Sequence, residues 1–161
     1  FRLWDKAPAR VDLWQSHSPQ GSRIEARVHL SGLQARELNH ITDELVKVRA
    51  TEGRIHAVDL HMLGDDRSAH STVHMHYEDL KLKLEPARPH AGLLSLLANA
   101  VIRSSNVPGD RRYRVGRTLV HRNQETSVFN YLWLSLREGM LDILLPGPVL
   151  DQLHTHKVPP R

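Results

Sequence analysis

The chain has 161 residues, of which 40% are hydrophobic and 25% charged, which is the composition of a folded globular domain rather than of a disordered or fibrous protein. Its formal net charge is +4 and its twelve histidines would add positive charge in mildly acidic surroundings. The absence of cysteine excludes disulfides, thiolate catalysis and cysteine-ligated zinc. Because the chain begins at Phe1 and a strand pattern follows almost at once, we expect a segment of a longer protein.

The first half of the chain alternates apolar and polar residues, as β-strands do. Residues 9–15 alternate weakly, and residues 23–30 (RIEARVHL) place apolar side chains on one face and polar ones on the other. The spacing of Leu38, Ile41 and Leu45 predicts a short amphipathic helix or helical turn. Strand pattern resumes at Val46, and GDDR at 64–67 predicts the turn of a long hairpin.

Both arms of this hairpin change the strand face on which their apolar residues lie. The returning arm changes parity once, from Val73, Met75 and Tyr77 to Leu80, Leu82 and Leu84. The outgoing arm does the same, from Ile55 and Ala57 to Val58, Leu60 and Met62. Because strand side chains repeat every two residues, such a slip predicts a β-bulge, which we place near Glu78 and Asp79. We interpret the slip as a switch between two different apolar environments.

The carboxy-terminal half predicts two amphipathic helices, near residues 91–103 and 126–145, separated by a strand (RYRVGRTLVHR). Thr126 or Ser127 is the expected N-cap of the second helix. Its candidate packing or docking residues are Phe129, Leu132, Trp133, Leu136 and Met140. We therefore predict an α+β fold with a long, antiparallel, curled, groove-like sheet and two helices, forming one domain over residues 1–145, with a disordered tail at 146–161.

The histidines raise the question of a metal site. His74 and His76 share a strand face and could ligate a metal together with His56 or His61 from the partner arm. No further ligand stands at a recognisable spacing, so we favour a solvated polar face and predict neither a metal nor a cofactor. Adjacent strand residues point to opposite faces, so Glu78 and Asp79 cannot act together as acid and base. With the familiar catalytic motifs also absent, we predict that the chain is not an enzyme.

Six arginines lie between residues 103 and 122 against a single acid, Asp110. The candidates for contact with an anionic partner are Arg111, Arg112, Arg114 and Arg117, of which Arg112 and Arg114 would share a strand face. They could bind nucleic-acid phosphates or lipid headgroups. Tyr113 is the one aromatic residue between these arginines that could stack on a base. A solvated basic face is therefore favoured, and a nucleic-acid-binding module is the alternative.

A glycine-initiated strand (GRIHAVDLHMLGDD) precedes a strand that ends in YEDLK, and the helix SVFNYLWLSLREGMLDIL comes last. This order resembles the carboxy-terminal region of AsmA-like envelope proteins of Gram-negative bacteria, over residues 33–145. The residues that carry the resemblance are Gly53, Tyr77, Asp79, Leu80, Lys81, Phe129, Tyr131, Leu132, Trp133, Ser135, Leu136 and Gly139.

The resemblance implies a periplasmic segment of a protein that is anchored in the inner membrane by a helix outside this chain. Its sheet would curl into an apolar groove serving phospholipid transport or outer-membrane biogenesis, with a phospholipid or other acyl lipid, or an envelope protein, as partner. The candidate groove-lining or core-lining residues are Val58, Leu60, Met62, Val73, Met75, Tyr77, Leu80, Leu82 and Leu84. The nucleic-acid-binding module remains the alternative, and a histidine-ligated metal enzyme ranks third.

Overall fold

A computed structural model of the chain describes residues 2–3, 7–19, 21–39, 48–84, 103–145 and 147. One antiparallel sheet contains six strands in the order of the sequence. The strands are β1 (Arg2–Leu3), β2 (Ala7–Ser18), β3 (Gly21–Gln34), β4 (Val48–Asp65), β5 (Ser68–Leu84) and β6 (Val115–His121). A short 3₁₀-helix (Ala35–Leu38) follows β3, and an α-helix, α1 (Val128–Leu144), follows β6.

The α+β class with a curled antiparallel sheet is confirmed in outline. The prediction of two helices is not borne out, because the described residues contain one α-helix. The other helix was predicted near residues 91–103, of which 91–102 lie outside the described residues. The 3₁₀-helix supplies a helical turn after β3, whereas residues 40–47 lie outside the description. The predicted tail at 146–161 also lies outside the description, apart from residue 147.

The two faces of the sheet differ sharply in polarity. The face that meets α1, called the inner face here, is apolar because alternate residues of each long strand point toward it. On β3, β4 and β5 the following side chains of this face are at most 6% exposed: Ile24, Ala26, Val28, Leu30, Ile55, Val58, Leu60, Met62, Val73, Met75 and Tyr77. Burying one such large side chain contributes about 1.5–3 kcal/mol, so this face supplies the main stabilisation of the fold.

Helix α1 lies close against the sheet because two glycines remove side chains at the contact. A Cβ on Gly139 would come within 2.3 Å of Val73 Cγ2, and a Cβ on Gly116 within 2.1 Å of the Gly139 carbonyl oxygen. The Ser127 side chain accepts a hydrogen bond from the Asn130 backbone N–H, which confirms the predicted cap. The Ser135 hydroxyl lies 3.3 Å from the sulfur of Met62 on β4.

The predicted contact stripe of α1 is confirmed in part. Leu132, Leu136 and Met140 are buried, and Trp133 is partly buried against the core. Phe129 is 66% exposed, so its assignment to the packing face was wrong, although it remains a candidate for docking. Phe129 and Tyr131 both lie in the first turn of the helix, and Tyr131 is the one that is buried.

The β4–β5 pairing contains the predicted irregularity and two more. Register shifts occur between Ala50 and Glu52, between Glu52 and Arg54, and between Ile55 and Ala57. The middle shift is the bulge predicted near Glu78 and Asp79, where β5 carries the extra residue and Asp79 has a φ of 54°. Opposite it lies Gly53 with a φ of 119°, and a Cβ there would be 2.7 Å from the Leu80 Cα.

The bulge corrects our interpretation of the phase slip. Leu80 is buried in the same core as Val73, Met75 and Tyr77, so the extra residue returns the strand to its original face. A one-residue insertion compensates a one-residue slip, and no change of apolar environment is needed at Leu80. The side chains of Leu82 and Leu84 lie outside the description.

Candidate functional site

The residues predicted to line a groove or a core are buried inside the chain. Those described, on β4 and β5, are at most 3% exposed, and Val73 and Met62 lie directly against α1. In the folded chain these side chains are therefore not accessible to a lipid. At this end of the sheet, therefore, the apolar inner face is closed.

The inner face becomes accessible at the other end, on β2. Leu13 pairs with the buried Ala26 and so points to the inner face, yet it is 38% exposed. Val11, nearer the start of β2, is partly buried against the core. The edge of β2 from Arg10 to Ser18 pairs with no other described strand, because β1 reaches only Ala7 and Pro8. This end of the sheet combines a free hydrogen-bonding edge with an uncovered apolar residue.

The candidate arginines are exposed but do not form one strand face. Arg111, Arg112 and Arg114 precede β6, which begins only at Val115, so the prediction that Arg112 and Arg114 share a strand face was wrong. Asn106 explains the shorter strand: its amide bonds the backbone N–H and C=O of Arg114, as a paired strand would. Arg117 lies on the outer face of β6, and its backbone N–H donates to Asp142 of α1.

Most residues of the face opposite α1, called the outer face, are polar, although Trp14, Leu63 and Leu119 are exposed on it. Two of its histidines pair with carboxylates on neighbouring strands: His29 with Asp59 at 2.6 Å, and His61 with Glu25 at 3.1 Å. An open concavity of about 460 Å³ is lined mainly by residues of this face: Arg10, Asp12, Arg27, His29, Asp59, His61 and His74. The charged side chains that line it are of both signs.

A third histidine–carboxylate pair on this face has an additional partner. His56 Nε2 lies 2.7 Å from Glu78 Oε2, and the His56 and His76 rings stack with centroids 4.4 Å apart. One potential ligand atom from each of these three residues lies within 4.8 Å of the other two. Of the candidates from the sequence, the fold thus brings together His56 and His76, with Glu78, whereas His74 lies beside Tyr113 and His61 pairs with Glu25.

Ionisation is shifted at both ends of the hairpin. At the turn, Asp65 accepts hydrogen bonds from the backbone N–H groups of Ser68 and Arg67, which lowers the pKa of the Asp65 carboxyl. Near the opposite end, the Lys81 ammonium donates a hydrogen bond of 2.7 Å to the Glu52 carboxylate, which raises the pKa of Lys81. Asp65, Lys81 and Glu52 are exposed, so these contacts add little stability.

Sequence reasoning missed Asn106, which is 2% exposed. Its backbone pairs with Tyr77, and its side chain donates to the carbonyls of Met75 and Arg114. A lone asparagine in a polar loop has no distinguishing pattern. Its position before a Pro-Gly turn and opposite a bulge was the one available signal.

No family model, no curated protein and no solved structure matches the chain. Among the described helices, none has the length and apolar character needed to cross a bilayer.

Proposed function

We propose that this chain is a noncatalytic, periplasmic closing segment of an AsmA-like envelope protein that takes part in phospholipid transport or outer-membrane biogenesis. In this proposal the sheet continues beyond β2 into the groove of a longer, inner-membrane-anchored protein. Helix α1 closes the apolar face at the β5–β6 end. The observation that carries the proposal is the change from a covered to an uncovered inner face across one sheet.

The inner face is covered at β5 and exposed at β2. Val73 on β5 lies under Gly139 of α1, whereas Leu13 on β2 is 38% exposed on the same face. An apolar surface that is closed at one end and accessible at the other suits an acyl chain that enters from the β2 side. The closed end would prevent the lipid from passing further along the sheet.

The free edge of β2 supports continuation of the sheet. Long unpaired edges promote association with other strands, and proteins usually shorten, charge or cover them. From Arg10 to Ser18, β2 pairs on one side with β3 and on the other with no described strand. Another strand of a longer chain would satisfy these backbone groups and extend the apolar inner face.

Photo-crosslinking tests the proposal at matched positions. A benzoylphenylalanine replaces Leu13 on the inner face or Leu119 on the outer face, which is 53% exposed. The chain is then irradiated with phosphatidylethanolamine–phosphatidylglycerol vesicles, and lipid adducts are identified by mass spectrometry. We expect adducts at position 13 and none at position 119.

Equal labelling at the two positions, or none at position 13, would contradict the proposal. A parallel titration with duplex DNA at several salt concentrations addresses the alternative. Binding that weakens steeply as salt rises, and that is lost when Arg111 and Arg112 become glutamine, would instead favour a nucleic-acid-binding module.

A further inference from the structure

The cluster of His56, His76 and Glu78 differs from the other polar groups of the outer face because three potential ligand residues converge there. Two imidazole nitrogens and one carboxylate oxygen lie within 4.8 Å of one another. The other histidine–carboxylate contacts, His29–Asp59 and His61–Glu25, form no comparable three-residue group within the described part of the chain. The cluster is independent of the apolar face on which the proposed function depends.

A β-bulge creates this convergence. Ile55 pairs with Tyr77 and Ala57 pairs with His76, so His56 is the extra residue on β4. Ile55 and Val58 both remain buried in the core, and the bulge leaves His56 directed away from it. On β5, His76 and Glu78 are two residues apart and therefore share the outer face. Bulges commonly re-aim a side chain next to a functional site.

His76 provides an independent indication of a missing ligand. Its Nε2 atom is buried from solvent and has no hydrogen-bond partner among the described residues. A buried imidazole nitrogen without a partner is unusual, since such groups are normally satisfied by protein, water or an ion. Coordination of a metal through this nitrogen would give it a partner.

The donor set suits a divalent transition metal. Two histidines and one glutamate, with a fourth position open to solvent, are a recurrent set of zinc ligands. With metal–nitrogen bonds of about 2.0–2.1 Å, tetrahedral ligand atoms lie roughly 3.3 Å apart. His56 Nε2 and Glu78 Oε2 are already 2.7 Å apart, so rotation of the side chains would complete the site without strand movement. The exposed fractions of these side chains, 35% and 47%, leave an approach from solvent.

We propose that His56, His76 and Glu78 bind one Zn²⁺ ion, or a divalent metal of similar preference. The ion would cross-link β4 and β5 next to the bulge, because its ligands come from both strands. Bound metal stabilises the folded chain, since the unfolded chain does not hold the three ligands together.

Calorimetric titration of the chelator-treated chain with Zn²⁺ tests the site. We expect one equivalent to bind and the thermal midpoint of unfolding to rise. His56→Gln and His76→Gln should each weaken binding by at least about a hundredfold, because ligand loss costs no less than the loss of an outer-shell contact. His29→Gln is the matched control: it removes a histidine of the same face with a carboxylate partner at 2.6 Å, and it should leave binding unchanged.

Co²⁺ substitution gives a second measurement that does not depend on affinity alone. Four-coordinate Co²⁺ absorbs visible light far more strongly than the hydrated ion, and we expect such bands with the natural chain and with His29→Gln. Circular dichroism establishes that each variant is folded. A folded chain that binds no stoichiometric Zn²⁺, or one whose affinity is equal in His76→Gln, would overturn the proposal.

Discussion

The β4–β5 hairpin contains two halves that follow different rules. In the turn-proximal half, Ala57–Gly64 pairs with Ala69–His76 without a register shift. In the bulged half, Val48–His56 pairs with Tyr77–Leu84 through three shifts. The first half presents a regular apolar surface to α1, whereas the second directs a histidine away from the core.

The difference shows how one sheet can both pack against a helix and direct a polar side chain away from the core. Regular alternation is required where a helix must approach closely, because a single slip would turn apolar side chains outward. Beyond the end of β6, the neighbour of β5 becomes a loop rather than a strand. The Leu80 backbone N–H donates to the Ser104 carbonyl at 2.7 Å, and Asn106 pairs with Tyr77. The loop tolerates the bulge because it needs no fixed register.

The largest effect is expected where the regular half meets α1. In Gly116→Ala, the new Cβ would lie 2.1 Å from the Gly139 carbonyl oxygen, which is backbone and cannot rotate away. Displacing α1 from β6 should lower the free energy of unfolding by about 3 kcal/mol, the upper range for overpacking. Urea denaturation measures it. Gly147→Ala, where a Cβ meets nothing within 4 Å, should change little, and equal effects would contradict this account.

Asn106→Ala tests the border between the two halves. The substitution leaves the Met75 carbonyl and the Arg114 N–H without their partner at a buried position. Unsatisfied buried groups cost about 1–3 kcal/mol each, and partial hydration reduces the sum, so we expect a loss of about 2–3 kcal/mol.

Asn123→Ala is the matched control for this loss. Asn123 is exposed, and its side chain accepts one hydrogen bond, from the Glu125 backbone N–H. Its replacement should cost less than about 1 kcal/mol. Chemical denaturation that ranked the two variants equally would show that burial of Asn106 is unimportant.

Gly53→Ala should affect the bulged half more than the regular one. Gly53 has a φ of 119° and faces the Leu80 backbone at 2.7 Å, so alanine combines backbone strain with a steric clash. We expect a loss of about 2 kcal/mol, and a weaker Zn²⁺ site next to it. Gly32→Ala, with a φ of 70° and open space around it, isolates the strain and should cost about 1 kcal/mol. Thermal unfolding of both variants measures the difference.

The alternation of apolar residues predicted the strands and the bulge, because burial on one face leaves a direct record in the sequence. It did not predict how the slip would be resolved. The same sequence pattern results whether an extra residue restores the original face or the strand enters a different environment. Only the burial of Leu80 distinguishes the two cases. The turn at 64–67 and the Ser127 cap were predictable for a different reason, since local chemistry determines both.

The candidate site was harder to predict than the fold. His56, His74 and His76 were all apparent in the sequence, but the choice among them depends on which residue of β4 becomes the extra one. Glu78 was interpreted only as part of a bulge, although it is a second bulge, at His56 on β4, that brings the two side chains together. Cross-strand register is a long-range property, so a single sequence without that register cannot identify the three residues as a group.

The smallest expected effect concerns Tyr131, which is buried in the first turn of α1. Burial raises the pKa of the Tyr131 hydroxyl to about 12, with a further contribution from Asp65, while Arg122 opposes the shift. The neutral form is favoured in the folded chain, so its contribution is complete below pH 10 and is lost as the pH rises toward 12.

Tyr131→Phe should therefore reduce the loss of unfolding free energy between pH 9 and pH 11, by on the order of 1 kcal/mol. At pH 7 the variant should be as stable as the natural chain, because the buried hydroxyl has no hydrogen-bond partner among the described residues. Tyr113→Phe, at a half-exposed position with a smaller shift, is the control. If both variants responded equally to alkaline pH, the burial of Tyr131 could not be the cause of its raised pKa.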